Sequence, residues 1–182
     1  PDTDGDGVTD TVETTDGTNP TNGCSYIDGH QTVSTSPAWN IGDCDNDGLD
    51  NGEEVDLGTN PLNPDSDGDG VLDGTEITDG TNPLNPCSYN PLHQTVTPSM
   101  AWNSLDCDGD GVTNGDEVNG PDGDPLTPDG TDPQDSCDLV VASQSVAPSA
   151  LWLAADCDGD GNPNGTDPNV LTPTTDPDSG TA

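Results

Sequence analysis

The sequence predicts a mostly irregular repeat rod with no conventional hydrophobic core. Three observations predict it. Of 182 residues, 37 are acidic and none is Lys or Arg, so apart from two histidines no side chain is present to pair with the carboxylates. Val, Leu and Ile together number only 27 and Phe is absent; that is less than the roughly 20% below which a strongly charged chain stays disordered. The third observation is an internal repeat. Asp2-Thr3-Asp4-Gly5-Asp6-Gly7-Val8 recurs 63 residues later as Asp65-Ser66-Asp67-Gly68-Asp69-Gly70-Val71. Burial on this scale cannot offset the ordering entropy, so the order must come from elsewhere.

The same offset takes Cys24-Ser25-Tyr26 to Cys87-Ser88-Tyr89, His30-Gln31-Thr32-Val33 to His93-Gln94-Thr95-Val96, and Ala38-Trp39-Asn40 to Ala101-Trp102-Asn103. A third, shorter copy follows at an offset of 50, with Cys137, Trp152 and Asp156-Cys157-Asp158 in the places of Cys87, Trp102 and Asp106-Cys107-Asp108. The chain therefore divides into repeat units 1–63, 64–128 and 129–182. The third is expected to begin with a degenerate acidic turn, Asp122 to Asp132. Each unit alternates an acidic loop and short helix with a Cys-bounded insert. Between them run spacers such as Gly58-Thr59-Asn60-Pro61-Leu62-Asn63-Pro64, which Pro keeps extended and stiff.

The acidic loops carry the chemistry. Asp65 to Glu76 reads D-x-D-x-D-G-x5-E, the spacing of a twelve-residue EF-hand-type calcium loop. Alternate aspartates converge on one cation, Gly70 permits the sharp turn, the Val71 carbonyl adds an oxygen, and Glu76 has the reach to close the shell. Hard calcium takes six to eight such oxygens. Five loops satisfy the spacing. They run Asp2, Asp4, Asp6, Asp10, Glu13; Asp43, Asp45, Asp47, Asn51, Glu54; Asp65, Asp67, Asp69, Asp73, Glu76; Asp106, Asp108, Asp110, Asn114, Glu117; and Asp156, Asp158, Asp160, Asn164, Asp167. The carbonyls of Val8, Leu49, Val71, Val112 and Asn162 take the seventh position. Five or more calcium ions are expected. In the fifth loop Pro163 stands where a helix would start, so that loop is expected to coil on without one. The alternative, an acidic solvated linker, would not need alternate-position spacing.

Helical turns are expected over Val8–Thr14, Asp50–Leu57, Val71–Thr78 and Thr113–Val118, each too short to stand alone in water. Short strands are expected over Gln31–Ser34, Gln94–Thr97 and Leu139–Val146 from alternation and β-branching. Asn19, Asn60, Asn82, Asp132 and Asp167 each precede Pro in Gly-Thr-(Asn/Asp)-Pro. They read either as plain turn chemistry or as donors that complete a neighbouring calcium shell.

The six cysteines form three equal pairs, Cys24/Cys44, Cys87/Cys107 and Cys137/Cys157. Six cysteines allow 15 connectivities, and the repeat favours pairing within a unit. Closing such a loop stabilises by roughly 3 kcal/mol in the chain-entropy model. Disulfides place the chain outside the reducing cytosol. Structural zinc is disfavoured, because C-x2-4-C doublets are missing and the neighbours are oxygen donors. Trp39, Trp102 and Trp152 each lie five residues before the second Cys. Each is expected to anchor a mini-core with the Gln-x-Val strand and the disulfide; stacking on a sugar is the alternative. His30 and His93 give way to Ser143 in the third copy, which favours surface hydrogen bonding over catalysis.

The net charge excludes nucleic acid and anionic membrane as partners, and no window resembles a membrane span. No catalytic grouping stands out, so the chain reads as not an enzyme. Asn164-Gly165-Thr166 is a glycosylation sequon, although its Asn is also a candidate ligand. The absence of Lys and Arg reads as a segment or processed product of a longer secreted protein.

These residues resemble thrombospondin type 3 repeats and the related calcium-binding repeats of bacterial surface proteins. Asp106 to Val118 and Ser145 to Trp152 look especially like tandem arrays in secreted Bacteroidota proteins, and Asp10-Thr11-Val12 resembles the O-glycan acceptor of that phylum. The resemblance implies an extracellular stalk or scaffold wrapped around a row of calcium ions. The Cys–Trp inserts depart from the thrombospondin pattern. The expected function is structural: a calcium-laddered stalk or fibre segment, partnered by flanking repeats or by further copies joined head to tail. The alternative is a calcium-dependent adhesin or a dockerin-like module, for which the short helices offer little groove-filling surface.

Overall fold

The computed structural model describes residues 1–120 and 130–171. The acidic turn expected from Asp122 falls mainly outside them. Backbone contacts divide the chain into two compact units, Pro1–Ser99 and Met100–Ala182, and each is described by itself.

The first unit contains α1 (Asp10–Asp16), α2 (Pro37–Asn40), α3 (Asn51–Leu57), α4 (Asp73–Asp79) and a 3-10 turn at Pro91–His93. The second contains α5 (Met100–Asn103), α6 (Asn114–Asn119), a 3-10 turn at Val141–Ser143 and α7 (Ala150–Ala154). Everything else among the described residues is turn or irregular chain. Helices α1, α3, α4 and α6 follow the first four acidic loops, one to two residues from the expected starts. Each of α1, α3 and α4 ends on a left-handed glycine, Gly17, Gly58 or Gly80, whose N–H returns to the carbonyl of Glu13, Glu54 or Glu76. The fifth loop passes into a turn with no helix; Pro163 has no N–H for a helical ladder.

The inserts differ from expectation in two ways. Short helices form at the tryptophans, with Ser36 and Ser149 hydroxyls accepting the Trp39 and Trp152 N–H at 3.1 Å. The alternating sequence around Gln-x-Val pointed to strands instead, but no strand forms among the described residues. Thr32 and Val33 N–H both donate to the Gly7 carbonyl, at 2.8 and 3.1 Å, and Ser36 N–H donates to Gly5 at 2.8 Å. Thr95 and Val96 grip Gly70, Ser99 grips Gly68, Ser145 and Val146 grip Gly111, and Ser149 grips Gly109 in the same way. Each extended segment thus clasps two loop carbonyls and has no partner strand to form a ladder.

The tryptophans are buried, but not against the Gln-x-Val valines, which are exposed. Trp39 packs with Val8 and Tyr26, flanked by Val12 and Leu62; Trp152 packs with Val112, Leu139 and Val170. The indole N–H groups donate to the carbonyls of Gly23 and Ser136, each at 2.7 Å. These small clusters join the seventh residue of an acidic loop to the insert that follows it. Cys24–Cys44 and Cys137–Cys157 are bonded as the repeat predicts; Cys87 and Cys107 are disulfide-bonded as well.

Candidate metal centres

Each loop is wound by its own aspartates. In the first, Asp2 accepts the N–H of Gly5 and Gly7 at 2.8 and 3.1 Å, and Asp6 accepts that of Val8 at 2.8 Å. The same contacts recur in the other four loops. They turn the aspartates inward. Carboxylate oxygens of Asp2, Asp4 and Asp6 lie within 4.8 Å of one another, as do those of Asp43, Asp45 and Asp47, of Asp65, Asp67 and Asp69, and of Asp106, Asp108 and Asp110.

The remaining oxygens decide what these sites fit. One oxygen each of Asp4, Asp6, Asp45, Asp67, Asp69, Asp108, Asp110 and Asp158 is buried with no hydrogen-bond partner, and so are both oxygens of Glu13 and Glu54 and one each of Glu76 and Glu117. Glu13, Glu54 and Glu76 are wholly buried. Leaving such groups buried and unsatisfied is strongly unfavourable, and the chain has no Lys or Arg to neutralise them. The all-oxygen donor set suits a hard divalent cation. Burial, followed by the charge of neighbouring aspartates, pushes Glu13 up to about 7 and Glu54 up to about 8. The same causes push Glu76 and Glu117 up to about 8. A bound cation removes that penalty and keeps the carboxylates ionised. The carbonyls of Val8, Leu49, Val71, Val112 and Asn162 accept no backbone N–H among the described residues.

The ninth position behaves in three ways. Asn51, Asn114 and Asn164 accept the N–H of Cys44, Cys107 and Cys157 at 3.0 Å, and their amides donate to the carbonyls of Trp39, Trp102 and Trp152 at 2.9 to 3.1 Å. Both ends of these side chains hold the loop to the tryptophan turn. Asn164, the sequon residue, is also buried. Asp10 accepts the N–H and hydroxyl of Thr3 at 2.9 and 2.8 Å. Asp73 accepts the N–H of Ser66 at 2.9 Å through one oxygen, and its carboxylate lies with Asp47 and Glu54 of the loop before it.

Several contributors carried no metal signature in the sequence. Gln31, Gln94 and Gln144 read there as strand residues. Their amides donate to the carbonyls of Asp6, Asp69 and Asp110 at 2.5 to 2.6 Å, bracing the middle of three loops. Their recurrence at one place before each Ser-Pro or Pro-Ser step was the available signal. Thr81 and Thr131 hydroxyls donate to the closing Glu76 and Glu117 at 3.1 and 3.3 Å. Of the two readings of the Asn/Asp-Pro steps, turn chemistry accounts for the contacts. Asn19, Asn60, Asn82, Asp132 and Asp167 each accept the N–H two residues on. His30 and His93 contact Asp16 and Asp79 at 2.7 and 2.5 Å, tying the insert to the end of the helix after the loop.

A chain with this fold and these centres is a calcium-binding repeat protein. Segments 2–23, 43–64, 65–86 and 106–128 match the bacterial TSP3 repeat, so the chain carries four repeats of that family. The fifth loop lies outside the matched segments. No curated protein and no solved structure matches the chain. Among the described residues no helix is long and apolar enough to cross a membrane.

Proposed function

We propose that the chain is an extracellular structural protein: a rigid, calcium-laddered, disulfide-stapled segment of a stalk or fibre. One observation carries this reading. The same buried, unpartnered carboxylate oxygens recur from loop to loop in a chain without Lys or Arg. Calcium in all five loops, held by the aspartates, the seventh-position carbonyls and the closing Glu or Asp, supplies the charge balance that folding requires. Small-angle scattering and circular dichroism with and without a chelator test it. Chelation is expected to leave disulfide-closed hoops on an expanded chain; curves unchanged by chelation would sink the reading.

The same reading extends to polymerisation head to tail. Loops two and three are consecutive. Loop one shares with loop three a ninth-position Asp and no Cys at position two, and loop five shares with loop two the Cys and the Asn. Loop one of a second copy, set after loop five, would repeat the order of loops two and three. Thr11 stands where loop three has Gly74, so the join must be looser by at least a methyl group. Electron microscopy in millimolar calcium reads the outcome, and monomers alone would reject the filament.

A further inference from the structure

We infer that Asp73 belongs to the calcium site of the preceding repeat, so that the second and third loops share a cation held by Asp47, Glu54 and Asp73. This rests on the calcium reading above and deepens it, because an EF-hand-type loop would assign Asp73 to its own ion. Three observations carry it. Carboxylate oxygens of Asp47, Glu54 and Asp73 lie within 4.8 Å of one another, although Asp47 and Asp73 are 26 positions apart in the sequence. All three side chains are more than nine-tenths buried, and both oxygens of Glu54 and one of Asp73 have no hydrogen-bond partner. Three ionised carboxylates do not converge in a buried space without a cation between them.

The backbone is built for the approach. Gly74 N–H donates to the Asp47 carboxylate at 3.0 Å. A Cβ on Gly74 would stand 2.5 Å from the Asp47 carbonyl oxygen, so only glycine lets α4 come this close to the second loop. The choice of ninth residue follows the same logic. Where a tryptophan turn precedes the loop, Asn bridges to its carbonyl. Where another acidic loop precedes it, Asp turns one oxygen back to that loop.

The test is hydrogen exchange of the full chain across a calcium titration, following amides of α3, which closes the second loop, and of α4, which closes the third. In Asp73→Asn the acceptor for Ser66 N–H is retained, as Asn51 shows for Cys44. The calcium midpoint for protecting α3 is expected to rise about ten-fold or more, and that of α4 no further than α3. Gly74→Ala, which removes no ligand, should move α3 in the same direction, and Glu54→Gln calibrates a direct loss at the second loop. A midpoint that rises more in α4 than in α3 returns Asp73 to its own loop and overturns the inference, and so does α3 unmoved in both Asp73→Asn and Gly74→Ala. If neither helix of the unmodified chain responds to calcium, the broader reading fails with it; a responsive chain with α3 unmoved in the variants rejects the shared site alone.

Discussion

The third and fifth loops begin with the same ligand spacing and sit in different surroundings. The third is gripped at Gly68 and Gly70 by Ser99, Thr95 and Val96, braced by Gln94, and followed by a helix that delivers a fully buried Glu76. Around the fifth, no described residue donates a backbone N–H to the carbonyl of Gly159 or Gly161. Its closing residue is Asp167, one oxygen of which accepts Asn169 N–H at 2.7 Å. On the proposed calcium reading, closing the shell and starting the next turn, separate tasks of Glu54 and Asn60 after the second loop, fall on one side chain here. Spacing along the chain defines which oxygens can meet a cation, and the surrounding clasp defines how firmly they are held there.

Glycine substitution should break that contrast most sharply. Gly68 and Gly159 both have left-handed backbone, at φ 82° and 74°, so Ala costs about 1–2 kcal/mol at either. A Cβ on Gly68 would also meet the Ser99 side chain at 2.5 Å, whereas at Gly159 it meets nothing within 4 Å. Thermal melts in saturating calcium should therefore show Gly68→Ala costing about 1–3 kcal/mol more than Gly159→Ala. The second loop already carries a side chain at this place, Asn46 at φ 65°. Removing the closing charge comes next. Glu76→Gln is expected to weaken the third loop on the order of 100-fold, and Asp167→Asn to weaken the fifth about ten-fold at most, read as calcium midpoints.

Acidity sharpens the comparison further. Burial and neighbouring charge push Glu76 up to about 8 and Asp69 up to about 7. A raised carboxyl holds its proton in the folded chain where the unfolded chain has lost it. The cation-free third loop is therefore most stable at or below about pH 4, and it loses that stability as pH rises through about 7 to 8. Calcium must displace those protons. Calorimetry at pH 6.5 in buffers of different ionisation heat should find about one to two protons released by this loop, with affinity falling as the solution is acidified. The smallest effect is expected for Gln94→Ala, about 1 kcal/mol, with no counterpart at the fifth loop.

The loops, the four helices after them, the missing helix at Pro163 and the cysteine pairing were legible because each follows from a local spacing or a repeat offset. The clasps were not. Thr32 and Val33 alternate like a strand, but they give both N–H groups to one glycine carbonyl, and nothing in residue type distinguishes that from a ladder. The packing partner of Trp39 is hidden in the sequence for a related reason. Val33 was the nearer valine in sequence, whereas Val8, the seventh residue of the loop, is the one without exposure. A motif read within one repeat places Asp73 in its own loop and is blind to Asp47 and Glu54 of the repeat before it, whose carboxylate oxygens lie within 4.8 Å of its own.

The clasps also bear on how the chain would recover after its calcium is withdrawn. The braces from Gln31 and Gln94 span 25 residues, that from Gln144 spans 34, and the Cys24–Cys44 and Cys137–Cys157 bridges span 20. Among the described residues no distant strands have to find each other. With spans of this size and the hoops already closed, reassembly is a series of short searches, each rewarded before the next begins. On the proposed stalk reading, a repeat that opens is expected to reseal beside its neighbours, which keeps damage and repair local.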